Sequence, residues 1–152
     1  MNFLFVCTGN TCRSPMAEAL FNHYALTHTG FRNKGLKARS TGTLGLRGSP
    51  ATKEVETVMR EKGIDVSGHR SSHINPESLR WADHILVMSK DHEKYISKCF
   101  PYYNHKLNLL TEFVGEAGEI NDPIGCDIAT YRKCRDYLEY LIIKIFKEYS
   151  PG

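Results

Sequence analysis

Phe3-Leu4-Phe5-Val6-Cys7 runs five apolar residues without a polar break. A strand with one wet face alternates polar and apolar side chains. A continuous run belongs to a strand covered on both faces, as in the middle of a parallel sheet. His84-Ile85-Leu86-Val87-Met88 is a second such run, and Leu36–Ser40 and Lys106–Leu110 are weaker ones. Between them lie segments with helical spacing. Ser14-Pro15 reads as a cap and a first helical residue, followed by Met16, Leu20, Tyr24 and Leu26 as far as Gly30. Ser49-Pro50 opens a helix through Val55, Val58 and Met59, closed by Gly63. Asn75-Pro76 opens a short helix, and Lys90–Cys99 is helical. Asp127–Tyr149 is a long helix with Ile128, Tyr131, Leu138, Leu141, Ile142, Ile145 and Tyr149 on one stripe. Strands separated by helical crossovers predict an α/β fold: a single domain, residues 1–152, built on a four-stranded parallel sheet with helices on both faces. The sequence shows no internal repeat or interdomain linker.

Ligands of such sheets bind beyond the carboxyl ends of the strands. The segment to inspect is therefore the loop after the first strand, Cys7-Thr8-Gly9-Asn10-Thr11-Cys12-Arg13-Ser14. A loop between a strand end and a helix start presents backbone N–H groups, and the helix adds unpaired donors and a partial positive charge. That is a phosphate loop in the making. Gly9 lets the backbone curl, and Arg13 brings a planar fork suited to two phosphate oxygens. A thiol at a helix N-terminus beside a cation loses its proton more easily than a free one, and the thiolate is the nucleophile. Each feature has a bland counterpart. A cysteine at a strand end is commonly a small buried hydrophobe, and Asp122-Pro123 alone is a turn before the last helix. Strand, C-x5-R-S, proline at a helix start and a distant Asp-Pro together point to attack on phosphorus.

The composition excludes several classes. Twenty Lys and Arg against seventeen Asp and Glu leave +3, too little to argue for nucleic acid or an anionic membrane. No apolar run approaches the roughly 20 residues that span a bilayer. The N-terminal run is short and lacks a basic flank, so it reads as a strand and not a secretion signal. Five cysteines, Cys7, Cys12, Cys99, Cys126 and Cys134, are an odd number that suits free thiols in a reducing, cytoplasmic setting. The seven histidines lack ligand spacing with cysteine or carboxylate partners, so no metal is expected. Arg32, Lys34, Lys37 and Arg39 read as a solvated basic loop. Tyr102 and Tyr103 fall in a proline-containing loop, and Trp81 is expected to pack against the sheet.

VCTGNTCRSPMAEAL resembles the signature of the low-molecular-weight protein tyrosine phosphatases, and Asp122-Pro123 resembles that family's second motif. The likeness covers nearly the whole chain. It implies a cysteine-based phosphatase without metal; no cofactor, phosphorylated proteins as substrates and a monomeric state are the accompanying expectations. By that match Cys7 is the nucleophile, Arg13 holds the phosphate and Asp122 is the general acid. Thr8, Gly9, Asn10, Thr11, Cys12, Arg13 and Ser14 form the phosphate-binding loop. Asn10 and Ser14 resemble loop-supporting residues, with Ser14 close to the thiolate and His69 and Ser40 as buttresses. Thr11 and Ile124 bear on substrate choice. Tyrosine-specific members often carry a bulky aliphatic residue at the first position and aromatics at the second. Thr11 resembles the protein-arginine phosphatase branch: its hydroxyl can accept from a guanidinium N–H where an aliphatic side chain offers only methyls. Ile124 departs from the aromatic usual there. Phosphoarginine is therefore the expected substrate and phosphotyrosine the alternative. Cys12 is either a redox partner of Cys7, as the resemblance allows, or an inert lining residue. Arsenate reductase and a non-catalytic phosphate-binding module are further readings. The first lacks the cysteine spacing of a relay, and the second would not keep Cys7, Arg13 and Asp122 together.

Overall fold

The computed structural model describes residues 1–28, 30 and 35–149. Four strands, β1 (Asn2–Cys7), β2 (Lys37–Gly42), β3 (His84–Val87) and β4 (Leu107–Leu109), form one sheet in the order β2-β1-β3-β4. Every pairing is parallel, with Val6 opposite Thr41 on one side and Val87 on the other. The helices are α1 (Arg13–Thr27), α2 (Lys53–Arg60), α3 (Pro76–Trp81), α4 (Lys90–Cys99), α5 (Leu110–Phe113) and α6 (Ile128–Glu148), with a 3-10 turn over Pro101–Lys106. This is the α/β class expected from the apolar runs.

The unbroken run in β1 has a direct packing reason. Phe3, Phe5 and Cys7 face one core with Met16, Leu20 and Phe21 of α1, Val55, Val58 and Met59 of α2, and Leu138, Leu141 and Ile142 of α6. Leu4 and Val6 face a second core with Ile74, Leu79 of α3, Ile85 and Val87 of β3, and Ile96 of α4. All five side chains of the run are buried. Trp81 is partly buried against the second core. The chain leaves β1 for β2 on one side and later returns to β3 on the other. The crevice at the carboxyl ends of β1 and β3 is thus a switch point of the kind where ligands bind.

Several boundaries differ from the sequence expectations, each for a tertiary reason. The first helix begins at Arg13, so Ser14 and Pro15 lie inside its first turn. Proline costs nothing there because its missing N–H would have no helical partner, and Ser14 turns its hydroxyl to Cys7 instead of capping. Leu26 is exposed; the buried face runs through Met16, Ala17, Leu20, Phe21 and Ala25. β2 starts at Lys37 and extends to Gly42, because Cys7 pairs with Gly42. Lys37 and Arg39 therefore lie on a strand and not in a loop, with the Arg39 guanidinium 4.3 Å from the Trp81 ring centre. Arg32 and Lys34 lie outside the described residues. α2 begins at Lys53, capped by the Thr52 hydroxyl, which accepts from Val55 N at 3.3 Å; Pro50 stays outside it. β3 and β4 are shorter than their apolar runs, and Tyr102 and Tyr103 lie in the 3-10 turn. In α6, Ile128 is exposed, and Arg135 and Phe146 join the buried face. Arg135 is accommodated by donating to Val58 O and pairing with Glu61 and Asp136.

Candidate active site

Cys7 closes β1, and its side chain is 3% exposed. The chain then turns through Thr8–Cys12 into α1, whose N-cap residue, Cys12, makes no capping side-chain bond. The first N–H groups of α1 are thus left for another acceptor, and the helix dipole favours an anion there. Asn10, not Gly9, takes the left-handed conformation, with φ 57°. Non-glycine residues seldom adopt it, but asparagine is among the tolerated ones. A network of bonds holds it. Its Nδ2 donates to Ser14 Oγ at 2.8 Å and Ser40 Oγ at 2.9 Å, and its Oδ1 accepts from Ser72 N at 2.9 Å. Its carbonyl faces His69 Nε2 at 2.7 Å, and Ser40 in turn donates to Glu18 Oε1 at 2.6 Å. His69 and Ser40 thus buttress the loop through Asn10, as the resemblance implied. Burial pushes the Glu18 carboxyl up, opposed by the Ser40 hydrogen bond and the charge of His69. Glycine is required beneath the loop at Gly42, where a Cβ would sit 2.5 Å from Thr8 O.

Ser14 Oγ stands 2.9 Å from Cys7 Sγ. Because Asn10 already donates to that oxygen, the Ser14 proton is free to point at the sulfur; its other contact, Thr41 O, is longer at 3.4 Å. Arg13 is 4% exposed. Its Nη1 donates to Ile120 O at 2.8 Å, and its Nη2 lies 3.4 Å from both Thr8 Oγ1 and Asp122 Oδ2. Its Nε is buried with no acceptor among the described residues. A buried guanidinium N–H without a partner is costly unless a ligand supplies the acceptor. Asp122 is brought to Arg13 from the loop before α6. Its side chain is 39% exposed, and its Oδ1 accepts from Ile124 N at 3.1 Å, which fixes the carboxylate over the turn that follows it. A cavity of about 370 Å³ lies beside it, lined in part by Ile120, Asp122, Lys133, Cys134 and Tyr137.

The structure thus gathers Cys7, Arg13, Ser14 and Asp122 at one strand end. Among the described residues the Thr11 hydroxyl makes no short bond to its own loop; it lies 3.9 Å from Cys12 Sγ. Ile124 is 59% exposed. Cys12 is buried, with Sγ 3.6 Å from Tyr131 OH and 3.8 Å from Thr52 Oγ1. Burial pushes its thiol up, against the hydrogen bond from Tyr131. One residue at the site was not anticipated: His92, on the first turn of α4, whose Nε2 lies 2.8 Å from Thr8 Oγ1. Burial, and then the Arg13 charge, push its imidazole down to about 4. The sequence offered only a weak sign of it, a polar residue three places after a helix-capping Ser89.

Comparison with known proteins places this geometry. The family model described as low molecular weight phosphotyrosine protein phosphatase matches residues 2–150. A protein-arginine-phosphatase from Geobacillus stearothermophilus is 43% identical over 143 residues, which is 93% of this chain and 91% of that protein. The crystal structure of a low molecular weight protein tyrosine phosphatase from T. tengcongensis superposes with TM-score 0.92 at 38% identity, covering 97% of this chain and 99% of that one. A mutant of the YwlE arginine phosphatase with a phosphorylated active-site serine superposes with TM-score 0.89 at 37% identity, covering 97% of this chain and 95% of that one. With its phosphate loop, its parallel sheet and matches along its length, the chain belongs to the low molecular weight phosphotyrosine protein phosphatase family.

Proposed function

We propose that this protein is a cysteine-dependent protein phosphatase that hydrolyses phosphoarginine. The observation that carries the catalytic part is the cup itself: Cys7 Sγ faces the Ser14 hydroxyl at the mouth of an uncapped helix, beside a buried Arg13 with an unpartnered Nε. An oxyanion satisfies those donors, and the sulfur stands where it can meet the phosphorus of the same group. In the first half-reaction the Cys7 thiolate forms an S–P bond as the P–N bond breaks, and Asp122 delivers a proton to the departing guanidine nitrogen. Arg13 and the loop amides hold the equatorial oxygens, and the Ser14 O–H stabilises sulfur as it takes and leaves phosphorus. In the second half-reaction Asp122 takes a proton from water, water oxygen bonds to phosphorus, and the S–P bond breaks to release phosphate. The relative with a phosphorylated active-site serine supports transfer of the phosphoryl group to an active-site side chain.

The arginine preference is supported by the relatives named for that activity and by Thr11. Its hydroxyl is not consumed by short bonds within the loop, so it can accept from a guanidinium N–H. Exposed Ile124 places no aromatic wall after Asp122-Pro123. Phosphotyrosine is the second reading, favoured by the exposed apolar side chains of Leu44, Leu46 and Ile124 and by tyrosine phosphatases among the relatives. An arsenate reductase needs a relay of reactive thiols. Cys99 and Cys126 are exposed, and burial pushes the Cys134 thiol up to about 12, which leaves it protonated and unreactive. Replacing Thr11 by isoleucine is expected to lower kcat/KM for a phosphoarginine peptide about 10-fold or more relative to a phosphotyrosine peptide. An unchanged ratio would remove Thr11 from substrate selection.

We further infer that residues 1–152 work as one domain, as a cytoplasmic monomer on phosphorylated proteins, without nucleic acid or membrane as partner. The net charge of +3 supports this, and no helix among the described residues is long and apolar enough to cross a membrane.

A further inference from the structure

The loop after β1 and the first turn of α4 meet across the crevice between β1 and β3 in a hydrogen bond between Thr8 Oγ1 and His92 Nε2, 2.8 Å apart. Hydrogen-bond accounting fixes its direction. The backbone N–H of Ser89 points at His92 Nδ1 at 3.1 Å and can only donate, so that nitrogen carries no proton and the Ser89 hydroxyl, also at 3.1 Å, donates to it as well. A neutral imidazole then has its proton on Nε2, which donates to Thr8 Oγ1. Burial and the neighbouring Arg13 hold the ring neutral against the opposing charges of Asp91 and Asp122. Thr8 Oγ1 is also 3.4 Å from Arg13 Nη2, a group that can only donate. With donors on both sides of its oxygen, the Thr8 hydroxyl has its own proton left to give. No protein acceptor for that proton is found among the described residues, and Thr8 is only half-buried.

We infer that Thr8 is an oxyanion-binding residue that donates its hydroxyl proton to the tetrahedral anion in the Cys7 cup, and that His92 is the positioning residue that compels it to do so. The inference deepens the phosphatase reading and rests on it for the location of the anion. Without His92, the threonine hydroxyl can rotate to accept from solvent or from Arg13 with no directional bias. With it, one rotor orientation remains, and it is set before the ligand arrives. Preorganised donors of this kind need no reorientation when the anion binds. His92 also serves α4, because its Nδ1 accepts from the N-cap backbone. The test must therefore separate the two duties.

Inorganic phosphate titrated calorimetrically into the wild type and four variants makes that separation. Asparagine at position 92 can still accept from Ser89 N but is too short to reach Thr8, so His92→Asn keeps the cap and removes the positioning bond. Thr8→Val removes the hydroxyl with little change of shape, and Thr8→Ser retains it. Thr8→Val and His92→Asn are each expected to weaken phosphate binding about 10-fold, as for the loss of one hydrogen bond to a charged group. Thr8→Ser is expected to stay within about 3-fold of the wild type. The double variant Thr8→Val with His92→Asn is expected to bind no more weakly than Thr8→Val alone, since both changes remove one interaction. Thr8→Val binding phosphate like the wild type would overturn the inference, as would losses that multiply in the double variant. The readout does not depend on turnover. A wild type that shows these affinity ratios but leaves phosphoarginine and phosphotyrosine peptides intact keeps this inference and refutes the phosphatase reading.

Discussion

Replacing Cys7 by serine is expected to lower turnover of para-nitrophenyl phosphate by about 10⁴-fold or more, while inorganic phosphate still binds. The reason lies in what surrounds the sulfur. Its polar contact is the Ser14 hydroxyl, which receives the Asn10 amide and so is set to donate. Around it are further donors: the first amides of α1 and the Arg13 guanidinium. A cup made of donors suits a group that arrives already anionic. Among the described residues no base is hydrogen-bonded to Cys7 that could take a proton from a serine hydroxyl, which is a far weaker acid than a thiol. Phosphate binding survives because the donors belong to the loop and to Arg13. Colorimetric assay and calorimetry on the same preparation give both quantities. Retention of more than about one per cent of the activity would show that the sulfur is not the nucleophile.

The second large effect is expected at Arg13. Exchange for lysine keeps the charge but should lower kcat/KM by about 10²–10³-fold. Arg13 divides its fork three ways. Nη1 is tied to Ile120 O, Nη2 faces Thr8 and Asp122, and Nε is left for the ligand. An ammonium is one point of donation on a flexible stem. It can neutralise the anion or satisfy Ile120 O, but it cannot do both while staying in plane with two oxygens. The loss should fall on kcat as well as KM, because the equatorial oxygens gain charge separation in the transition state. A variant within about 3-fold of the wild type in kcat/KM would place the phosphate elsewhere.

The parts legible in the sequence are those that local chemistry dictates. The apolar run of β1 announced a strand with two covered faces, and Phe3, Phe5 and Cys7 do face one core while Leu4 and Val6 face the other. The helix expected over Lys90–Cys99 is α4, with the same bounds. The loop was legible because Cys7, Arg13 and Ser14 are close in sequence and need only a strand end and a helix start to converge. What escaped depends on distant partners. Gly9 was expected to let the loop curl, but the left-handed residue is Asn10, held there by Ser14, Ser40, Ser72 and His69. β2 ran past its apolar stretch because parallel pairing with β1 recruits Thr41 and Gly42, whatever their intrinsic preference. His92 could not be assigned to the site from its neighbours in sequence, since its role is set by Thr8, 84 residues away.

Turnover by this site requires a phosphoryl group to rest on Cys7. The Asp122→Asn variant isolates that state. Para-nitrophenolate leaves without needing a proton, whereas release from sulfur needs Asp122 to accept one from water. The variant is incubated with para-nitrophenyl phosphate, quenched within the first turnovers and digested, and the peptide containing Cys7 is weighed by mass spectrometry. The prediction is a burst of nitrophenolate approaching one equivalent, matched by the mass of one phosphoryl group on Cys7. Steady release with no burst, or a phosphoryl group on any other residue, would contradict it.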